Sequence, residues 1–246
     1  MKPVRIVLCS RALVSAVFTA CLFGGWTPAA VAQGAGGNGD LQQKMAAMKQ
    51  SAAENKKKLQ QYQWIETRQI TYKGEAKPQQ VERCSYSADG QVIRIPMGPQ
   101  TQQEPSGGRM KRRIVEKKKD EMQDYMQQVK LLLSMYVPPS ANLLQQAYDK
   151  GNVKLEKTMG TGNAQLIFSN YAKPGDKMTI TFDPATKKMT AINVDTYMDE
   201  PKDVVTLAIN EASLPDGTNY PLQTVLNAKA KQIQVTTSNS GYTKIH

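Results

Sequence analysis

The sequence predicts an α+β protein: an N-terminal helix, then a strongly curved, half-barrel-like antiparallel sheet with two inserted helices packed on it. Three observations carry this. Apolar residues recur at helical spacing in two stretches, from Leu41 to Tyr62 and from Val115 to Tyr148. From Val153 onward the period switches to two. Short polar turns separate the alternating segments, which makes sequential neighbours antiparallel partners. The strands number about eight or nine, too many to lie flat, so the sheet is expected to curl around its helices.

The elements follow in order. Asp40 can cap a first helix in which Leu41, Met45, Met48, Ala52, Leu59 and Tyr62 share a face opposite Lys56, Lys57 and Lys58. Trp64–Tyr72 is rich in β-branched and aromatic residues and stops at Lys73-Gly74, so it reads as a strand. Val81–Tyr86 and Val92–Ile95 are two more, separated by Ala88-Asp89-Gly90. The Pro- and Gly-containing segment 97–109 is expected to be a mobile loop. A second helix fits Met110–Tyr136 and stops at Pro138-Pro139. Ser140 then caps a third helix, which ends at Gly151. Strands are expected at Ala164–Tyr171, Lys177–Asp183, Lys188–Met198, Val204–Leu214, Tyr220–Ala230 and Gln232–Ser238. Their apolar and polar faces alternate, as in a sheet with one packed and one wet side.

The first 32 residues read as an address. Lys2, Arg5 and Arg11 precede an apolar run from Ala12 to Trp26, and Ala30-Val31-Ala32 makes a small-x-small cleavage site before Gln33. The run is shorter than the roughly 20 residues that span a bilayer. Phe18-Thr19-Ala20-Cys21 is a poor lipobox, so a lipid anchor at Cys21 is not expected. The expected organisation is a signal peptide at 1–32, a flexible lead-in at 33–39 and one domain at 40–246, exported and soluble in the periplasm. Cleavage removes three of the 32 basic residues and none of the 21 acidic ones, taking the net charge from +11 to +8. It also leaves Cys84 as the one cysteine of three, so no internal disulfide can form. Cys84 is then a buried strand residue or a reactive thiol.

Most chemistries are excluded by composition. The single histidine, His246, rules out a His-based triad and any metal site with two His ligands. Gly107-Gly108 lacks the context of a phosphate loop, and no G-x-S-x-G elbow occurs. Asp195, Asp199, Glu200 and Asp203 cluster at a strand end, where they read as turn chemistry rather than a carboxylate pair. No catalytic residue, metal or cofactor is therefore expected.

Two candidate binding surfaces remain. The basic run Arg109, Lys111, Arg112, Arg113, Lys117, Lys118 and Lys119, interrupted by Glu116, stands at a helix start, the wrong end for the helix dipole. It is either a solvated helix face or a dock for an anionic membrane or envelope polymer, with about 1 kcal/mol per charge near a membrane. Nucleic acid is not an expected partner, because the run lacks interleaved aromatics. The apolar residues Met45, Met48, Trp64, Met122, Tyr125, Val129, Leu132 and Tyr136 are either plain core or the lining of an adaptable cavity between helices and sheet.

A helix running into Trp64–Tyr72, two helices inserted between Met110 and Lys150, and a long meander resemble the superfamily of periplasmic outer-membrane lipoprotein carriers and related sensor domains. Segments such as Phe182-Asp183-Pro184-Ala185-Thr186 and Leu214-Pro215-Asp216-Gly217 also look like secreted bacterial proteins of unknown function. The resemblance rests on architecture and assigns no residue a role. It implies a non-enzymatic binder that shelters a lipid or acyl ligand, or a protein partner, on the concave face of the sheet. The alternative is an envelope module that docks through its basic helix. Oligomeric state is left open.

Overall fold

The computed structural model describes residues 46, 50–98, 109–158, 160, 162–186 and 188–245, with the side chains at 109–112, 114 and 115 outside that set. Among the calls of the sequence on other residues, the cleavage site at Ala32 and Gln33, Met45 and Met48 lie outside the described residues, as do 99–108 of the expected loop. Helix α1 covers 50–59 and runs directly into strand β1, Tyr62–Tyr72. A tight turn at Lys73 and Gly74 leads to the two-residue β2, Glu75–Ala76. Both turn residues have positive φ, 52° and 81°, as a type I′ hairpin requires, and glycine takes the second without a Cβ penalty. Strands β3, Gln80–Tyr86, and β4, Val92–Pro96, complete the first group.

Two helices follow, α2 at Arg109–Leu133 and α3 at Ala141–Asp149. Helix α2 ends three residues before the expected Tyr136, which instead sits buried in the turn leading to α3. Ser140 occupies the N-cap of α3, but its side chain makes no cap bond. Its backbone N–H donates to the Tyr171 hydroxyl at 2.8 Å, so a tertiary contact replaces the expected local one. The chain then forms β5, Val153–Lys157; β6, Ala164–Ser169; β7, Lys177–Asp183; β8, Lys188–Tyr197; β9, Val204–Ser213; β10, Asn219–Ala228; and β11, Ile233–Lys244.

The strands form one sheet in the order β4-β3-β1-β11-β10-β9-β8-β7-β6-β5, with β2 beside β1. The meander from β5 to β11 is as the polar turns require. The join of β1 to β11 is a pairing across the whole chain, running in register from Tyr62 opposite Lys244 to Tyr72 opposite Ile233.

The sheet corrects one expectation. Among the described residues it has eleven strands rather than eight or nine, and it is open, not a strongly curved half-barrel: β4 and β5 are its two edges there and do not pair. Strong curling needs repeated bulges or glycine kinks at defined positions. The described ladders shift register at only three places, beside Gln63, Thr181 and Pro221. The additional strands are β2 and β5, whose side chains are mostly exposed and whose apolar alternation is correspondingly weak.

The registers place one continuous face on the helix side. Ile180, Ile192, Ile209 and Thr224 align across β7 to β10, and Thr224 continues through Thr237 to Arg68. Over β6 to β9, and at Leu226, Ala228, Ile233 and Val235 of β10 and β11, this face is apolar and packs with residues of α2 and α3 in one core. Tyr125, Val129 and Leu132 recur at helical spacing on α2 and, with Tyr136, meet Leu166, Phe168, Met178, Ile192 and Val194 from the sheet.

Candidate binding cleft

Toward β1, β3 and β4 the same face changes character. On β1, Trp64, Glu66 and Arg68 alternate onto it, because successive strand residues point to opposite sides. The register sets Cys84 opposite Trp64 and Glu82 opposite Glu66 on β3, then Arg94 opposite Cys84 on β4. From the other side, β11 sets Asn239 opposite Glu66 and Thr237 opposite Arg68. Leu59 at the end of α1 covers one margin. All of these but Cys84 and Glu82, with Tyr86, Val92, Pro221, Thr224 and Tyr242, line an open cleft of about 310 Å³.

The helix and the strand that frame the cleft are tied down at one end. Asn55 of α1 donates from Nδ2 to the Asn219 carbonyl at 2.8 Å and accepts from the Asn219 N–H at 2.6 Å. The Tyr62 hydroxyl donates to Asp216 at 2.6 Å, and Lys244 lies 3.4 Å from the same carboxylate. The Tyr62 hydroxyl is the largest influence holding Asp216 well below the ordinary carboxylate range.

Inside the cleft the charges are matched. Glu66, only 6% exposed, accepts from Arg68 and, at 3.4 Å, from both Nε and Nη2 of Arg94. Glu82 accepts from Arg68 at 3.3 Å. Two carboxylates thus face two guanidiniums. A buried ion pair often contributes no more stability than a well-packed apolar pair of the same size, so this network is not explained by stability alone.

An aromatic wall stands beside the charges. Trp64 stacks on Tyr242 with ring centroids 5.6 Å apart and planes at 11°, and Tyr86 lies 5.2 Å from Trp64 at a tilt. Burial raises the pKa of both tyrosines, so they stay protonated donors at neutral pH. Cys84 beneath them is fully buried, and burial pushes its thiol up to about 11. Of the two readings of Cys84, the structure therefore supports the buried, protonated strand residue.

Two polar atoms on the wall have no hydrogen-bond partner among the described residues: Nε1 of Trp64 and Oδ1 of Asn239. Each residue is 6% exposed and lines the cleft. Both atoms are enclosed by protein, as are Thr158 Oγ1 and Thr218 Oγ1, which also lack a partner among the described residues and lie away from the cleft.

The residues singled out from the sequence are divided by the fold. Trp64 lines the cleft, while Tyr125, Val129, Leu132 and Tyr136 are buried in the packed core, with Met122 partly buried against it. The Tyr136 hydroxyl donates to Asp176 at 2.6 Å and contacts Thr196 at 2.8 Å. Arg113, Lys117, Lys118 and Lys119 are exposed on α2, and Arg109, Lys111 and Arg112 lie on the same helix. Three of the four clustered carboxylates are tied to separate partners: Asp203 accepts from Tyr125 at 2.8 Å, Asp195 pairs with Lys177 at 3.4 Å and Glu200 with Lys202 at 2.5 Å.

A smaller cleft of about 210 Å³ lies near the start of β10, between Asp183, Lys188, Glu211 and Asn219. Burial raises the pKa of Glu211 to about 6 there, against one stabilising contact from Asn219. Among the described residues no group of three or more His, Cys, Asp or Glu side chains could hold a metal ion. Among them, too, no helix is long and apolar enough to cross a membrane.

Reasoning from sequence missed Glu82, Arg94, Asn239 and Tyr242. The alternation Trp64, Glu66, Arg68 was a usable signal, since it puts two charges beside a tryptophan on one strand face. The others join them only through strand pairing.

The chain is similar to a DUF1329 family protein from Desulfovibrio piger, with 10% identity and a TM-score of 0.39 over 81% of this chain and 92% of that one. It is also similar to a LolA superfamily protein from Nitrosomonas europaea, with 8% identity and a TM-score of 0.36 over 80% and 93% of the two chains. No family model matches the chain. No curated protein matches it.

Proposed function

We propose that the protein is an exported, non-catalytic binding protein of the cell envelope that holds a small ligand in the cleft beside Trp64. The observation that carries this reading is an open cleft of about 310 Å³ in which the partly exposed Arg94, Tyr86 and Tyr242 border a buried glutamate. Export is supported by the leader-like segment at 1–32. The absence of a histidine before position 246 favours binding over acid–base catalysis. Native mass spectrometry of the protein recovered from an envelope extract tests the reading. A small-molecule adduct that is lost in Arg94→Gln is expected. Adduct-free wild-type protein in a concentrated extract counts against it.

A second reading rests on the exposure of Arg113, Lys117, Lys118 and Lys119 along one helix. In it, α2 docks on an anionic membrane or polymer and adds to the ligand's delivery or capture. Co-sedimentation with vesicles containing phosphatidylglycerol is expected to fall when the three lysines become glutamine. Unchanged sedimentation removes this reading and leaves the cleft untouched.

A further inference from the structure

The groups that a ligand can reach in the cleft narrow its class, an inference that rests on the binding reading above. Three charged residues line the cleft, and Arg94 is the most open of them: its side chain is 42% exposed, against 28% for Arg68 and 7% for Glu66. A guanidinium has five N–H donors and no acceptor, and its two forked edges each fit a carboxylate. Glu66 fills one edge of Arg94. Its Oε1 accepts from Nε and its Oε2 from Nη2, both at 3.4 Å. The other edge, made by Nη1 and the second N–H of Nη2, has no partner among the described residues.

No carboxylate of the cleft is free to answer that edge. Both oxygens of Glu66 are engaged, and Asn239 Oδ1 is enclosed by protein. The partly exposed Tyr86 and Tyr242 keep their hydroxyl protons, so they add donors. A neutral carbonyl has one oxygen for the open edge. A carboxylate has two, set to accept in parallel, and ionised acceptors make hydrogen bonds about twice as strong as neutral ones. The chain's net charge of +11, or +8 without the leader-like segment, also favours an anion at long range. Beside these groups Leu59, Val92 and Pro221 make the wall apolar. The volume of about 310 Å³ lies at the lower end of small-molecule sites, room for a compact body rather than a long chain. We infer that the cleft binds a small organic monocarboxylate with a compact apolar body, its carboxylate held on the open edge of Arg94.

The test is isothermal titration calorimetry of the full protein at neutral pH. The probes are phenylacetate, its neutral counterpart phenylacetamide, and inorganic phosphate. Phenylacetate is expected to bind saturably, and phenylacetamide about tenfold more weakly or less. This comparison needs no variant. Arg94→Lys keeps the charge beside Glu66 but has no forked edge, so it should weaken phenylacetate by about tenfold and leave phenylacetamide unchanged. Arg113→Gln, on α2, should change neither. If the amide binds as well as the acid, or phosphate binds and phenylacetate does not, the ligand class is overturned and the binding cleft stands. If phenylacetate binds Arg94→Lys as it binds the parent chain, or is lost in Arg113→Gln, the assignment to Arg94 is overturned. If no probe binds, both the ligand class and the binding reading fall.

Discussion

The two halves of the helix-side face share one sheet and one antiparallel register, yet they are finished differently. Under α2 and α3 the face is apolar, and its buried carboxylate is saturated. Asp176, 2% exposed, accepts from the Tyr136 hydroxyl and from the backbone N–H groups of Tyr171, Ala172 and Lys173. Beside α1 the face carries four charges, an open cleft and two polar atoms with no partner among the described residues. The first half has the properties of a core. The second spends burial on groups that add little to stability, which is what a binding site does.

That contrast can be broken by substitution. The largest effect belongs to the packed half. Asp176→Ala leaves three buried N–H groups and a tyrosine hydroxyl without their acceptor, and it is expected to cost about 4 kcal/mol in urea unfolding followed by circular dichroism. In the cleft half, Glu66→Gln should cost about 2 kcal/mol, because its two arginines are partly exposed and water replaces part of the lost interaction. A cost equal to that of Asp176→Ala would show the network to be structural.

Glu211, near the start of β10, gives the pH dependence. Burial raises its folded pKa to about 6 from an ordinary value of 4.5. Between those values the folded chain keeps a proton that the unfolded chain has released, so stability falls as pH rises through that window. Glu211→Gln should flatten the slope and gain about 1–2 kcal/mol at pH 7 in unfolding titrations compared with pH 4.5. A slope that survives the substitution assigns it to another group.

Smaller effects separate binding from folding. Asn239→Leu removes the unmet Oδ1 together with one bond to the Pro221 carbonyl. Its stability, read by urea unfolding, should stay within about 1 kcal/mol of the parent chain. The triple substitution of Lys117, Lys118 and Lys119 by Gln should change stability by less than about 0.5 kcal/mol, as expected for exposed side chains. A larger loss would mean that these lysines support α2 itself.

Much of the strand and helix order was legible because it is local. Lys177–Asp183 alternates cleanly between Asp176 and Asp183-Pro184, and the strand has those bounds. Val115, Met122, Tyr125, Val129 and Leu132 mark an amphipathic helix, and α2 is one. The missed elements are those with weak local patterns: β2 has two residues, and β5 exposes all but Val153. The curvature was misjudged for another reason. Strand number alone does not force a curl; bend depends on where bulges fall along each ladder.

The candidate site was legible only in part, and for a related reason. The sequence by itself determined the leader-like segment, the lack of a His-based triad or an internal disulfide, the meander, and the placing of Trp64, Glu66 and Arg68 on one strand face. Those follow from composition and from a period of two, which need only near neighbours. Only the tertiary structure decided that the first strand pairs with the last. That pairing, between residues about as far apart as the described chain allows, brings Asn239 and Tyr242 to Trp64 and so makes the cleft. No local pattern encodes it, because the hydrophobic and hydrogen-bonding gain appears only once both distant strands are in place.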